Sequence, residues 1–466
     1  APSRLAEVVN GLLGPGYVAR STVSEWLHQD RVPRDPLPTV VAHLISDALD
    51  REVSVAQLWS GRAQPAEFWV PADAGLQLPW TAEGTVEILD DWLHHTGGSI
   101  GMDRRIFLAV SGAALTAPAW EYADRLGTRG GSFAVLADDR RSITVTSAMV
   151  DAVAATTAGI RNLGNTEGGH EDNLRFVHHH LIWVAKLLRQ ARFSTSAVAD
   201  RLLAEWAQLA QLAAWMANDA GQHGLSQRYF TGGLHAAHTA GDRSVGTYLL
   251  ACMTQAAVHR GRLDDGVALG RAARDAVDLG NAAREAAKPA PAAVRVLAAT
   301  RFALAQAAAG NAHGYHAAAD EARTLLDIPG ALDARPPYLT WFGPSALESQ
   351  LAQGALTLAG VTSRDSRALL DDAEQVLGRT ATDPASTPRN AVFHAAWLSR
   401  AHVAADDLDR AVPAAQTALR RLPTVRSRRC TLVLHRLEAD LAALPPARRP
   451  AAVRSLHDQL RATHAT

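Results

Sequence analysis

Gly221-Gln222-His223-Gly224 and Gly261-Arg262-Leu263-Asp264 are two turn sequences that lie 40 residues apart, each between long stretches rich in alanine and leucine. Apolar residues recur on both sides of each turn with a period near 3.6, which is typical of amphipathic helices. The sequence therefore predicts two successive helical hairpins, with second helices that run through Leu234 and Leu279. Residues 103–466, here called the body, continue this pattern with little β-branched alternation, so we expect an all-α fold.

Further turns are predicted at Gly310-Asn311, at Gly360 and at Ala405-Asp406-Asp407-Leu408-Asp409. A small residue stands in each hairpin where the two helices must cross closely. A single hairpin cannot bury its own apolar face, so we expect the hairpins to stack into an α-solenoid. The alternative is a generic all-α bundle.

The second helices of these hairpins resemble those of tetratricopeptide repeats, in which small residues and an aromatic or small residue recur. The corresponding positions are Ser226, Phe230 and Gly233, then Gly266, Gly270 and Ala273, then Ala411, Ala415 and Ala418. The units are longer than the family's usual repeat, and a proline-rich insertion covers Ile328–Pro344. The resemblance implies stacked hairpins with a concave inner groove.

Polar and aromatic side chains on the first helices are expected to line that groove, if Gly221, Gly261 and Asp406 are equivalent turn positions. These residues are Gln208, Gln211, Trp215, Asn218, Tyr248, Gln255, His259, Phe393 and Arg400. Amide, aromatic and guanidinium groups suit an extended peptide or a small polar effector. The alternative is that Trp215 and Tyr248 only pack between helices.

Residues 1–62, here called the head, alternate short helical patterns with tight turns. Helices are predicted at Leu5–Val9, from Arg20 onward with Ser21 or Thr22 as its cap, and at Leu37–Leu49, followed by a last turn capped by Ser54. Val23, Trp26 and Leu27 are expected to face the core of the head. The outward positions of the second helix are then Arg20, Thr22, Ser24, Glu25 and His28.

The head resembles the λ-repressor-like, xenobiotic-response-element class of helix-turn-helix domain. The matching residues are Leu5-Ala6, Ser21-Thr22-Val23-Ser24-Glu25-Trp26, Arg31-Val32-Pro33, Ala48-Leu49 and Gln57-Leu58-Trp59. The helix that opens such domains has no counterpart before Leu5, and the turn over residues 11–20 is longer than the family's. The resemblance implies that double-stranded DNA is the partner. The DNA-binding residues would be Arg20, Ser21, Thr22, Ser24, Glu25 and His28 on the recognition helix, with Arg31 and Arg34 on the phosphate backbone. The alternative is a head kept for dimerisation or docking.

Charge limits how the chain could bind DNA. The formal net charge is −1, and the head has six arginines against seven acidic residues. Bulk, sequence-independent coating of nucleic acid is therefore excluded. Specific binding is expected to need a homodimer that places two recognition helices on a palindromic operator.

Residues 63–102 contain prolines and glycines around one short helix at Thr85–His95, which predicts a linker. The segment Gly131–Thr146 includes Phe133-Ala134-Val135-Leu136 and Ser142-Ile143-Thr144-Val145-Thr146, which resemble strands, but we expect neither to be one because the body is helical. Met102–Ala119 resembles a twin-arginine export leader. Because about a hundred residues precede it, we interpret it as a linker that runs into an apolar helix.

Cys252 and Cys430 are the only cysteines, which is too few for a disulfide framework or a thiolate metal site. His178-His179-His180 point about 100° apart on a helix and cannot all bind one metal. No stretch is long and apolar enough for a membrane span. The sequence therefore predicts a cytoplasmic protein without cofactor, metal or membrane partner.

The combination of head, linker and body resembles the large actinobacterial regulators of development and secondary metabolism. That resemblance implies a dimeric transcriptional regulator whose body dimerises or binds an effector. A protein-interaction adaptor that has lost DNA binding and a helical-repeat protein recruited as a biosynthetic enzyme remain as alternatives. No glycine-rich phosphate loop, nucleophile elbow or carboxylate pair points to catalysis.

Overall fold

Helices make up most of the chain in a computed structural model of the protein. The structure describes residues 2–13, 17–29, 31–34, 37–49, 53, 55–60, 62, 78–96, 112–126, 133, 143–282, 290–333, 335–361, 366–382, 387–425 and 427–463. For these residues the expected all-α class is confirmed, apart from two short strands. Gly14-Pro15-Gly16, Ser54 and most of the Met102–Ala119 segment lie outside the described residues.

Four helices form the head, as expected: α1 (Pro2–Leu13), α2 (Arg20–His28), α3 (Leu37–Leu49) and α4 (Val55–Trp59). They share a small core that includes Val9, Val23 and Trp26. Trp26 meets Trp59 edge to face, with ring centroids 6.2 Å apart. The long turn between α1 and α2 is tied by one side chain, because the Asn10 amide accepts from the Val18 N–H and donates to its carbonyl.

Two details of α2 differ from the prediction. Leu27 does not face the core and is 59% exposed, because a step of about 100° past Trp26 carries it off the buried stripe. The residue that precedes the helix is Ala19, and it makes no side-chain capping bond, so neither Ser21 nor Thr22 is the cap. Both fall inside the first turn instead, where their backbones are already helical.

Helices α5 (Ala82–Thr96) and α6 (Ala113–Asp124) follow the head. The first falls in the predicted linker but packs on the body, since Trp80, Leu89 and Trp92 belong to the main hydrophobic core. Trp92 stacks on Tyr229 with ring centroids 4.5 Å apart. Residues 78–96 are therefore part of the body's core and not a connector, because their buried aromatic residues outweigh the proline and glycine pattern around them.

Two short strands form a parallel pair, β1 (Ile143–Val145) and β2 (Ala191–Phe193), with Ile143 opposite Ala191. The expectation that Ser142–Thr146 is not a strand was wrong. One helix pair separates the two strands in sequence, and this crossover brings them side by side in the same direction.

Seven successive helix pairs follow within the described residues, and the helices of each pair contact each other. They are α7 (Ser147–Glu167) with α8 (Glu171–Gln190), α9 (Ser196–Asp219) with α10 (His223–Ala240), α11 (Arg243–His259) with α12 (Leu263–Ala282), α13 (Ala292–Ala308) with α14 (Ala312–Leu326), α15 (Pro344–Val361) with α16 (Ser366–Thr382), α17 (Pro388–Ala404) with α18 (Leu408–Arg421), and α19 (Arg428–Ala443) with α20 (Ala451–Ala462). The first helices also contact one another in order, and α17 returns to contact α7. The first helices therefore surround a common interior.

The turns at Gly221, Gly261 and Asp406 share one geometry. Their φ angles are +76°, +73° and +63°, a left-handed conformation that favours glycine and is tolerated by aspartate. In each turn the following N–H bonds to the carbonyl five positions earlier in the chain, which closes the first helix. The prediction of a turn at Gly360 was wrong, because Gly360 lies inside α15.

The proline-rich insertion at Ile328–Pro344 packs against the body. Its Pro337–Leu339 segment forms a single 3₁₀ turn, and Tyr338 and Phe342 are buried. Tyr338 stacks on Tyr248 of α11 with ring centroids 5.0 Å apart. The insertion thus supplies part of the wall around the interior.

Candidate functional site

A cavity of about 160 Å³ opens among the first helices of the body. Five of the nine residues predicted to line the groove lie in the cavity wall, namely Gln211, Trp215, Tyr248, Gln255 and Phe393. Gln211 and Trp215 are four positions apart on α9, and Tyr248 and Gln255 are seven apart on α11, so each pair lies on one helix face. These residues therefore form a wall of polar and aromatic side chains.

Gln208 and His259 lie next to this cavity rather than in its wall. The Gln208 side chain accepts a 3.1 Å hydrogen bond from Arg161, which does line the cavity. His259 packs near Phe393, with ring centroids 6.3 Å apart. Burial, together with Arg429 and other nearby arginines, lowers the pKa of His259 well below its usual value, so its ring stays neutral.

Asn218 and Arg400 are not brought to the cavity. Asn218 pairs with His223 Nδ1 at 3.0 Å and faces a smaller, separate cavity. Arg400 donates to Asp440 at 2.6 Å and lies over the ring of Trp397. Both side chains bind protein partners outside this cavity, so each has a structural role there.

Four arginines define the cavity and are here called the arginine set: Arg161 of α7, Arg301 of α13, Arg389 of α17 and Arg429 of α19. Among the described residues that line the cavity there is no aspartate or glutamate. Burial lowers the pKa of Arg301 and of Arg429 to about 10, which leaves both guanidinium groups charged at neutral pH. The cavity therefore has a strongly positive lining.

The members of the arginine set differ in their partners. Arg389 pairs with the buried Asp219 at 3.3 Å and donates to the Gly164 carbonyl at 2.9 Å. Arg429 lies over the Phe393 ring, with its guanidinium carbon 4.2 Å from the centroid. Arg301 is 5% exposed, and its Nε and Nη1 have no hydrogen-bond partner among the described residues. Arg161 Nη1, Arg389 Nε and Arg429 Nε are also unsatisfied within that part of the chain.

The neutral groups around the arginine set are suited to binding. The side-chain carbonyls of Gln211, Gln255 and Gln350 are buried without a partner in the described structure. Burial raises the pKa of the Cys252 thiol to about 11, so it stays protonated, and the Gln211 amide donates to its sulfur at 3.6 Å. The site thus offers cationic donors, amides and aromatic faces.

Sequence reasoning missed the arginine set because no turn or spacing marks it. One signal was present for Arg301, which follows Ala298-Ala299-Thr300 and precedes Phe302-Ala303 in a helix that is buried on every side. A helix that is apolar all round lies in a protein interior, so a cation within it must be buried. Trp341, Gln350 and Gln353 were missed for a similar reason, since the insertion and α15 join the wall only in the folded chain.

The head presents the predicted DNA-binding residues on one helix and the segment after it. Arg20, Ser21, His28 and Arg34 are exposed, whereas Thr22, Ser24 and Glu25 are half-buried. Arg31 is also exposed and donates to Glu25 at 2.7 Å. That pair neutralises the one acidic group on the outward face of α2.

The three consecutive histidines diverge as expected. His178 is buried and pairs with the Tyr229 hydroxyl at 2.6 Å, His179 is exposed, and His180 stacks on Trp183. No group of three His, Cys, Asp or Glu side chains that could hold a metal ion occurs in the described ranges. Likewise, no described helix has both the length and the apolar character needed to cross a bilayer.

In comparisons with known proteins, no family profile, no curated protein and no solved structure matched this chain.

Proposed function

We propose that the protein is a DNA-binding transcriptional regulator, active as a homodimer, whose body binds an effector. The observation that carries this proposal is the outward face of α2. Val23 and Trp26 hold the helix on the head's core, and Arg20, Ser21 and His28 extend from its other side into solvent. A short helix that is fixed by its apolar face and exposes basic and hydroxyl side chains fits the major groove of DNA.

Charge on this face is compatible with DNA because Glu25 is neutralised. Its carboxylate would repel phosphates, but Arg31 lies 2.7 Å away and compensates it. Arg20 and Arg34 are then the cations available for the phosphate backbone. A single head with so few cations binds weakly, so specific affinity requires two heads on two half-sites.

The test is selection of bound sequences from a pool of random duplex DNA by the full chain at about 0.15 M salt. The expected result is an enriched palindrome with half-sites about one helical turn apart, or a multiple of that spacing. Binding to the selected duplex, followed by fluorescence anisotropy, should weaken as salt rises. Failure to enrich any sequence would refute the proposal.

Two variants locate the binding face. Arg20→Ala should weaken binding by about 5- to 150-fold, because a base contact or phosphate contact of an arginine is worth about 1–3 kcal/mol. Arg271→Ala is the matched control, since Arg271 is an exposed arginine on α12 of the body and should leave affinity unchanged. Circular dichroism on both variants checks that the helices are intact.

A protein-interaction adaptor is the second candidate. It is favoured by three exposed apolar side chains among the described residues of the head, Val8 at 43%, Tyr17 at 50% and Leu27 at 59% exposure, which suit a docking face. The adaptor predicts that no duplex is enriched, so the same selection experiment separates the two functions.

A further inference from the structure

The cavity that the arginine set lines is here called the arginine cavity. Its positively charged lining needs an anionic partner. Burying a guanidinium costs free energy unless a carboxylate or a full set of hydrogen bonds compensates it. Arg389 has Asp219 for this purpose, but no carboxylate lies within salt-bridge distance of Arg301 among the described residues. Native structures leave few buried donors unsatisfied, and each such group requires an explanation, of which a bound ion is one.

Four arginines with unsatisfied buried donors share one site, whereas other unsatisfied donors of the described residues, such as Arg274 Nε and Arg295 Nε, lie outside its lining. Arg161, Arg301, Arg389 and Arg429 come from four different helices, and each has at least one buried N–H nitrogen without a partner in the described structure. All four line the same cavity. Convergence of this kind gives an anion several charge-assisted hydrogen bonds at once, and these are the strong ones.

The remaining wall indicates what else the ligand carries. Trp215, Tyr248, Trp341 and Phe393 contribute aromatic surface to the same cavity. A volume of about 160 Å³ has room for on the order of five water molecules, or for a ligand of about ten non-hydrogen atoms. The space therefore suits a compact planar molecule with one charged end.

We propose that this cavity is a receptor for a small organic anion, in which a carboxylate or a phosphate monoester is attached to a planar apolar group. The anion is bound by the arginine set, and the aromatic side chains hold its apolar part. Its role as the effector of DNA binding rests on the function proposed above, but the binding itself does not.

A structural role and a ligand-binding role for Arg301 predict opposite effects on stability. If Arg301 stabilises the fold, its replacement should destabilise the protein. An arginine kept for a ligand imposes a cost on the unliganded protein, so its replacement by an uncharged side chain of similar length should be neutral or stabilising. The two roles can therefore be separated without knowledge of the natural ligand.

The experiment is isothermal titration of the full chain with phenyl phosphate, benzoate, inorganic phosphate and, as the neutral control, benzyl alcohol. We expect one-to-one binding of phenyl phosphate or benzoate, at least about tenfold tighter than benzyl alcohol and inorganic phosphate. The stronger of the two aromatic anions identifies the charged group. Absence of saturable binding by both aromatic anions would overturn the proposal.

The variant Arg301→Met tests the site directly. It should weaken anion binding at least about tenfold, while the unfolding temperature of the unliganded protein stays the same or rises. Arg271→Met, at an exposed arginine, is the control and should bind normally. Unchanged anion affinity in Arg301→Met would contradict the assignment. If that variant does not fold, hydrogen exchange on the wild-type chain decides, since the anion must protect residues 292–308 of α13.

Anisotropy with the selected DNA, with and without the anion, keeps the two proposals apart. Anion binding by a chain that enriches no DNA supports the receptor and refutes the regulator. Specific DNA binding without anion binding refutes the receptor and leaves the regulator intact. DNA binding that is specific but insensitive to a bound anion overturns the effector role.

Discussion

Arg389 Nη1 lies 3.3 Å from a carboxylate oxygen of Asp219, and both side chains are buried. Asp219 is the last residue of α9, and Arg389 is at the start of α17, so the pair joins two helices that are far apart in the chain. The same nitrogen donates to the Gly164 carbonyl of α7 at 2.9 Å. One guanidinium thus fastens α7, α9 and α17 around the arginine cavity.

Breaking this pair should be costly. Asp219→Asn leaves Arg389 as an uncompensated buried cation, and we expect a loss of about 3–5 kcal/mol in the free energy of unfolding. Asp151→Asn is the matched control, because Asp151 and Arg201 form an exposed pair at 2.6 Å that contributes about 1 kcal/mol or less. Urea unfolding measures both variants. Equal losses would show that the buried pair does not join the helices as inferred.

A second prediction concerns Gly246 of α11. A β-carbon added there would lie 1.7 Å from the Tyr122 hydroxyl oxygen, and Tyr122 is fully buried. We expect Gly246→Ala to destabilise the protein by about 1–3 kcal/mol. Gly159→Ala meets nothing within 4 Å on the exposed side of α7 and should instead be neutral or stabilise by up to about 1 kcal/mol. In thermal unfolding, the midpoint temperature should fall for Gly246→Ala and should stay the same or rise for Gly159→Ala.

Stability should fall in mild acid because of His178. Burial, and then the neighbouring His179, lower the pKa of His178 to about 4, whereas the unfolded chain has an ordinary value near 6.5. The unfolded state alone takes up this proton between those values. The free energy of unfolding should therefore drop as pH falls from about 6.5 to about 4, by up to about 3 kcal/mol from this group.

His178→Gln checks the assignment. Tyr229 can still donate its hydroxyl proton to the amide oxygen, but the titrating group is gone, so the decline between pH 6.5 and 4 should become shallower. The slope should change by up to about 1.4 kcal/mol per pH unit. His313→Gln, at an exposed position, should leave the slope as it is. An identical slope in His178→Gln and wild type would mean that another histidine dominates.

The last prediction concerns the turn of the head. Asn10 accepts from the Val18 N–H at 2.7 Å and donates to the Val18 carbonyl at 2.8 Å. Asn10→Ala removes both bonds, so the Val18 amide should exchange its hydrogen at least about tenfold faster. Asn162→Ala, at an exposed position in the body, is the control. Hydrogen exchange with mass spectrometry measures amide protection in both variants. Unchanged protection of Val18 in Asn10→Ala would show that other contacts hold the turn.

Much of the helical framework was predictable because it is local. Period-3.6 patterns located the head helices, and the turns at Gly221, Gly261 and Asp406 were marked by residues that tolerate a left-handed backbone. The predictions that were wrong failed because of contacts between residues that are distant in sequence. The prolines and glycines of residues 63–102 predict a linker there, yet Trp80 and Trp92 are buried by distant helices. The strand at Ile143–Val145 forms only because Ala191–Phe193 lies beside it.

At the candidate ligand site, the sequence indicated one set of residues and the tertiary structure added another. The sequence by itself determined that α9 and α11 carry Gln211, Trp215, Tyr248 and Gln255 on faces that recur at helical spacing. It could not show that Arg161, Arg301, Arg389 and Arg429 meet these residues, because the arginines lie up to 268 positions apart along the chain. Only the tertiary structure decided that, since the return of α17 to α7 closes the cavity and buries cations whose partners cannot be read from their neighbours in sequence.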